Sequence, residues 1–238
     1  WIGTFHGGLN KMDYSKKTIT RVGQNSKTFS KSINTIYIDL DDNVWIGSKN
    51  GIQVITKKND TLSLKASTIA GKGLSDNNVL CFEEDNHGKI WIGTRNGGLN
   101  ILDKASFLLK DKKLSLKWFL PKTDGTSVYN RTVSCIKKDI KGNMWLGTST
   151  GVNYVNPKDE PVKLLQNNIS NEQTISHNRI GSLALASDDR IWIGTDGGGL
   201  DLLNPENGKF THYRHAENNP KSLSNNYIIS ILEDSKKR

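Results

Sequence analysis

An all-β fold of five repeated sheets is what this sequence predicts, and three observations predict it. The phrase Trp-aliphatic-Gly-Thr/Ser occurs five times, at Trp1, Trp45, Trp91, Trp145 and Trp192, so five of the six tryptophans occupy one repeat position. Successive motif tryptophans stand 44, 46, 54 and 47 residues apart. Within each interval, short β-branched and aromatic runs alternate with glycine and asparagine turns. Four antiparallel strands in a period of about 45 residues are the pattern of a β-propeller blade. Residues 1–238 are therefore expected to form a single β-propeller region of five four-stranded blades, with motif tryptophans at 1, 45, 91, 145 and 192.

Each blade reads in the same order. An inner strand comes first, as in "NNVLCFEED" (77–85), "NRTVSCIKKD" (130–139) and "NRIGSLALA" (178–186). Twelve residues before the motif Trp stands a β-branched residue, Ile33, Val79, Val133 or Ile180. Ten before it stands a smaller one, Thr35, Cys81, Cys135 or Ser182, which implies crowding where strands converge on a central axis. A tight turn follows, with Gly88 and Gly142 suited to positive φ. After the Trp strand come a glycine turn such as "NGG" (96–98), a third strand such as "LNILD" (99–103) and a more variable fourth, "LSLKWFL" (114–120) or "KFTHYRH" (209–215). The longest interval places its extra residues around "ASFLLKDKK" (105–113), expected at the outer edge of a blade. An acidic residue six before the Trp, Asp39, Asp85 or Asp139, is expected to cap the turn; Ala186 lacks that cap. The motif Trp is expected to fill the wedge between neighbouring blades, and the motif Gly to let backbones approach closely.

The two ends of the sequence complement one another. It begins on a Trp strand and finishes on "SLSNNYIISILED" (222–234), an inner-strand pattern in which Ile228 and Ser230 fit the β-branched and small positions. The expectation is that 222–238 completes the N-terminal half-blade. That gives a closed five-bladed ring; the alternative is an arc of a larger, seven-bladed ring.

Composition bounds the function. Lys and Arg number 33 against 24 Asp and Glu, a formal charge of +9, which suits a polyanionic partner or a lysine-rich surface that blunts sheet edges. Two cysteines, Cys81 and Cys135, are too few for a disulfide framework, and their equivalent places in successive inner strands predict two buried free thiols. No apolar run is long enough to span a membrane. Nucleophile elbow, phosphate loop and zinc-spaced histidines are all missing, so neither a cofactor, a metal nor catalysis is expected.

"LSDNNVLCFEEDNHGKIWIGTRNGGLNILD" (74–103), "IWIGTDGGGLDLLNPENGKFTHYRH" (191–215) and "SLSNNYIISILED" (222–234) resemble the two-component regulator propeller repeat. That resemblance implies the periplasmic sensor region of a Bacteroides-type hybrid histidine kinase, in which two seven-bladed propellers precede the membrane helix and the kinase. It also implies signal input by a glycan breakdown product, with membrane contact only through downstream segments and no nucleic acid bound by this region. A scaffold that docks a second propeller or a dimer partner is the alternative, and a polysaccharide lyase a third reading.

Chain direction places the loops entering the inner strands and the turns after the Trp strands on one rim. Those loops carry His6, Lys49, Arg95, Asn96, Arg131, His177, Arg179 and Tyr227 as candidate ligand-binding residues. Arginine grips a carboxylate or sulfate in bidentate fashion and amides bond hydroxyls, so this set suits an acidic oligosaccharide.

Overall fold

The structure, a computed structural model, describes residues 1–23, 29–109, 113–122, 124, 126–156, 159–234 and 236. It divides into two compact units, Trp1–Phe119 and Leu120–Arg238. The first unit holds three antiparallel sheets. Blade one is β1 (Ile2–Thr4), β2 (Gly8–Asp13) and β3 (Thr18–Val22); blade two is β4 (Ile33–Ile38), β5 (Val44–Ser48), β6 (Gly51–Ile55) and β7 (Thr61–Leu64). Blade three is β8 (Val79–Glu84), β9 (Lys89–Thr94), β10 (Leu99–Asp103) and β11 (Leu116–Phe119), with helix α1 (Lys104–Leu108) between its last two strands. The second unit holds blade four, β12 (Val133–Lys138), β13 (Met144–Thr148), β14 (Gly151–Asn156) and β15 (Asp159–Leu165). It also holds blade five, β16 (Ile180–Leu185), β17 (Ile191–Thr195), β18 (Leu200–Leu203) and β19 (Phe210–Tyr213). Within each sheet, strands adjacent in sequence pair antiparallel. The all-β propeller architecture read from the repeats is the one observed.

The small residue of each inner strand has a sharper cause than convergence on an axis. Thr35, Cys81, Cys135 and Ser182 lie directly opposite the motif glycines Gly47, Gly93, Gly147 and Gly194. A side chain on Gly47 would begin 2.6 Å from Thr35 Cγ2 and 2.8 Å from Val79 Cγ1, the β-branched residue of the next blade. One on Gly147 would meet Cys135 and, at 2.7 Å, Ile180 Cγ2; one on Gly3 would lie 2.6 Å from Ile33 Cγ2. Glycine is thus required where one sheet's second strand seats the inner strand of the next.

A bulge accompanies this contact in all four complete blades, between Ile33 and Thr35, Val79 and Cys81, Val133 and Cys135, and Ile180 and Ser182. The extra residue turns its side chain out of the ladder. Asn34 Nδ2 donates to the Val79 carbonyl at 2.9 Å, and Ser134 Oγ to the Ile180 carbonyl at 2.7 Å, tying blade two to blade three and blade four to blade five.

Trp45 and Trp145 fill the wedges between blades two and three and between blades four and five, and three of the motif tryptophans carry a polar anchor. Trp45 packs with Val79, Phe82 and Ile90 of the next blade, and Trp145 with Ile175, Ile180 and Leu183. Indole Nε1 of Trp45, Trp91 and Trp145 donates at 2.8, 2.9 and 3.0 Å to Asp39, Asp85 and Asp139. The other oxygen of each carboxylate caps the turn, accepting for example from Asn43 N at 2.8 Å and Asn143 N at 2.9 Å. Burial opposes charge on Asp39, but donations from Trp45 and Asn43, with the Lys104 charge, outweigh it and hold the carboxyl below its ordinary range. A lowered folded-state value means stability that is present above the unfolded value and lost as pH falls. Gly88 and Gly142 take φ of 69° and 85° in these turns, and Asp42 and Asp189 fill the same left-handed position elsewhere.

The insertion of blade three does more than decorate an edge. Its helix sends Phe107 back onto Trp45, ring centroids 5.8 Å apart. It also buries Lys104, whose Nζ lies 2.5 Å from Glu84 Oε1 and 2.6 Å from Asp41 Oδ2. Residues 110–112 of that insertion lie outside the described residues. Both cysteines are free, as expected; Cys81 is buried and Cys135 partly so, with burial pushing the Cys135 thiol up to about 12.

Among the described residues the C-terminal segment forms no strand, and the sheet of β1, β2 and β3 keeps three strands, so ring closure is not seen. Residues 226–233 instead lie along blade five in the manner of a next inner strand. Ile228 N donates to the Thr195 carbonyl at 2.9 Å, and Ile228 Cγ2 stands 2.7 Å from where a side chain on Gly194 would begin. Ser187 N donates to Glu233 at 2.9 Å, repeating the bond from Leu40 N to Glu84 at 2.9 Å.

Two outcomes follow for stability. Gly47→Ala should destabilise the first unit by about 1–3 kcal/mol in denaturant melts, because overpacking falls on two neighbours at once. Asp139→Ala should cost the second unit about 2–4 kcal/mol, since it strands the Trp145 indole and the Asn143 amide in the interior. Melts in which either variant matches the parent chain would contradict these assignments.

Candidate functional site

The rim is shaped by one buried polar side chain in each of the four complete blades. Gln53, Asn100, Asn153 and Asp201 stand on the third strands and are almost wholly buried. Each accepts from a backbone amide of the loop entering its own blade: Ser30 at 3.3 Å, Ser75 at 2.9 Å, Tyr129 at 2.8 Å and Ser176 at 2.7 Å. Such loops hold still because an otherwise unpaired N–H is satisfied from beneath. Turns after the second strands then join the next blade's entry loop through backbone, as Gly8 N to Lys31 O at 2.8 Å and Gly51 N to Asn77 O at 2.8 Å.

In the first unit this scaffold gathers part of the expected set. His6 meets Phe5 edge-on, ring centroids 4.7 Å apart, and Lys49 Nζ sits 5.4 Å from the centre of the same Phe5 ring. Arg95 and Asn96 occupy the next turn, where Arg95 N donates to Asn78 O and Asn96 N to Asp76 Oδ2, both at 2.9 Å. Beside His6 opens a cavity of about 640 Å³ lined by Thr4, Asn10, Arg21 and Lys31. Hydroxyl, amide and cations therefore all line it. Arg21 and Lys31 were not singled out from the sequence. Arg21 belongs to an outer strand whose alternation says nothing of the rim, while Lys31 differs in no local way from other loop lysines.

The second unit carries the remainder. Arg179 Nη2 lies 2.8 Å from Asp196 Oδ2, so that guanidinium is already matched to a carboxylate. Arg179 N also donates to His177 Nδ1 at 3.2 Å, and Asp196 bridges to Tyr227. His177, Arg179 and Tyr227 are thus brought together around Asp196. Arg131 stands exposed just before β12, in a turn where Asn130 Oδ1 accepts from Thr132 N at 2.8 Å.

Charges on the opposite rim are largely satisfied within the protein. Asp42 pairs with Lys57 at 2.9 Å, Lys141 with Glu206 at 3.1 Å and Asp188 with Arg190 at 2.6 Å. Among the described residues no group of three His, Cys, Asp or Glu side chains is arranged to hold a metal ion. No helix among them is long and apolar enough to cross a membrane.

Comparison with solved structures returns the same architecture. The chain aligns over its full length with 29% of the extracellular domain of a putative hybrid two component system from B. thetaiotaomicron, at 24% identity and a TM-score of 0.78. A second such domain from the same organism aligns over 98% of this chain and 28% of its own, at 21% identity and a TM-score of 0.76. PorZ, a surface component of the type-IX secretion system of Porphyromonas gingivalis, aligns over 98% of this chain and 34% of its own, at 17% identity and a TM-score of 0.74. This chain thus spans about a third or less of each of these proteins. Comparison with curated proteins returns no match. Residues 73–96, 129–150 and 174–197 match the family model described as two component regulator propeller. Each matched stretch runs through an entry loop and a Trp strand toward a glycine turn, so the matches fall on the repeat positions of blades three, four and five.

Proposed function

We propose that this chain is a ligand-sensing propeller region of a hybrid two-component signalling protein, placed in the periplasm, and that its ligand is an anionic oligosaccharide released by glycan breakdown. The observation that carries this reading is the cavity where His6, Arg21 and Lys31 stand with Thr4 and Asn10. Cations supply the charge match to carboxylate or sulfate, while hydroxyl and amide bond sugar hydroxyls. Its function is binding and not catalysis. The likeness to extracellular domains of hybrid two component systems supports the signalling context and the extracytoplasmic placement. Signal transfer, membrane contact and kinase activity belong to other parts of such a protein.

Titration calorimetry with size-defined uronic-acid and sulfated oligosaccharides, at low and high salt, tests this. Binding should weaken as salt screens the contact. Arg21→Ala and Lys31→Ala should each lower affinity about tenfold or more, as for a lost charge-assisted hydrogen bond. Arg179→Ala should do less, because its guanidinium is already paired with Asp196. Absence of binding at both salt concentrations would overturn the proposal in favour of a scaffold that docks a second propeller or dimer partner.

A further inference from the structure

Blade five departs from the other complete blades at one buried position. Where blades two, three and four cap the entry loop with a neutral amide, blade five uses the carboxylate of Asp201, which is fully buried. Directly across the ladder from it stands His212, where the other blades have Ser63, Trp118 and Leu164. His212 Nδ1 lies 2.7 Å from Asp201 Oδ1, and its Nε2 lies 2.7 Å from the backbone carbonyl of Glu172. Asp201 Oδ2 accepts from both the amide and the hydroxyl of Ser176, at 2.7 and 2.9 Å.

Both nitrogens of this imidazole therefore face oxygens that only accept. A neutral imidazole carries one N–H and meets one of the two; the doubly protonated ring meets both. On deprotonation a lone pair is left pointing at a carbonyl or at a buried carboxylate, and the contact to the loop is lost. That loop, residues 167–176, is otherwise held mainly by bonds within itself, such as Asn168 N to Thr174 Oγ1 at 3.0 Å and Asn171 N to Asn168 O at 2.9 Å. Its outside ties are few: Ile175 is buried, Asn167 N donates to Asn178 Oδ1 at 2.7 Å, and Phe210 N donates to Gln173 at 3.2 Å. The loop walls a polar cavity of about 400 Å³, shared with Gly198, Arg214 and Asn226. Facing His212 are Asp201 from β18, Glu172 from the loop, and the stacked ring of Phe210 from its own strand, centroids 6.0 Å apart; Arg214 lines the same cavity.

We propose that Asp201 and His212 form a proton-operated latch on the loop 167–176, closed while His212 carries two protons and released when it gives one up. Histidine is the side chain whose ordinary charge change falls between about pH 5 and 8, so acidity is the signal that such a latch reads. The cavity wall is then firm while the ring is doubly protonated and loose while it is neutral.

The test is amide hydrogen exchange of residues 168–176 in the 238-residue chain at about pH 5.5 and about pH 8, corrected for the intrinsic pH dependence of exchange, alongside an NMR titration of the His212 ring protons. Exchange in the parent chain should be about tenfold faster at the higher pH, as for one lost hydrogen bond to a charged group, with the His212 titration at the same midpoint. Asp201→Asn should abolish the difference. Asparagine can accept from Ser176 through oxygen and donate to Nδ1 through nitrogen, so that neutral His212 keeps its Nε2–H on Glu172. His212→Gln gives a second route to a pH-independent loop should Asp201→Asn fail to fold. Equal protection of the parent loop at both pH values, or an undiminished pH difference in the folded variant, overturns the latch.

Discussion

Everything in this structure rests on a glycine that cannot be anything larger. At Gly3, Gly47, Gly147 and Gly194 the second strand of one blade is met by the β-branched residue of the chain segment that follows, close enough that a methyl group would collide. This contact sets the spacing of successive sheets, and the other repeat features serve it. A small residue stands opposite because the same volume is contested from the other side. A bulge accompanies it in all four complete blades, and in two of them the extra residue, Asn34 or Ser134, reaches the neighbouring blade's carbonyl. Tryptophan fills what is left of the wedge, held at its indole nitrogen by the aspartate that also closes the preceding turn.

Blades differ in how fully they meet this plan. Blade five has Ala186 in place of the aspartate, and its turn is organised instead by the exposed pair of Asp188 and Arg190. Blade two gains from outside itself, since the helix of blade three delivers Phe107 to Trp45 and Lys104 to Asp39 and Asp41. A buried lysine among three carboxylates contributes less to net stability than its short contacts suggest, because desolvation offsets much of the attraction. Its carboxylate partners come from blade two (Asp39, Asp41) and blade three (Glu84), so the ammonium links the two.

The fold was legible in the sequence because repetition makes packing visible. A Trp-x-Gly phrase at near-constant spacing, with β-branched and small residues at fixed offsets, names the strand order, the turns and the wedge directly. What the offsets could not say was why Cys81 and Ser182 are small, because the partner glycine is assigned only once the register is known. The helix at Lys104–Leu108 escaped notice for a different reason: five residues are too few for a periodic signal, and its role depends on a tryptophan about sixty residues away in another blade. For the rim, loop polarity pointed to His6, Lys49, Arg95, Asn96, Arg131, His177, Arg179 and Tyr227. It could not reveal that Arg179 is already matched to Asp196, nor that Arg21 and Lys31 share a cavity with His6. Side-chain direction and pairing across loops are three-dimensional facts that a one-dimensional pattern leaves open.

The buried caps of the third strands have a consequence for how such a surface changes over time. Each entry loop is moored by one residue beneath it and by backbone bonds to its neighbour, and neither tie consults the outward side chains. Substitutions at the tips therefore leave the spacing of the blades untouched. One blade can acquire a new contact residue while the next keeps its old one, and stability selects on the glycine face whereas recognition selects on the rim. A lineage can in this way retune what it detects one loop at a time, without passing through forms that fail to fold.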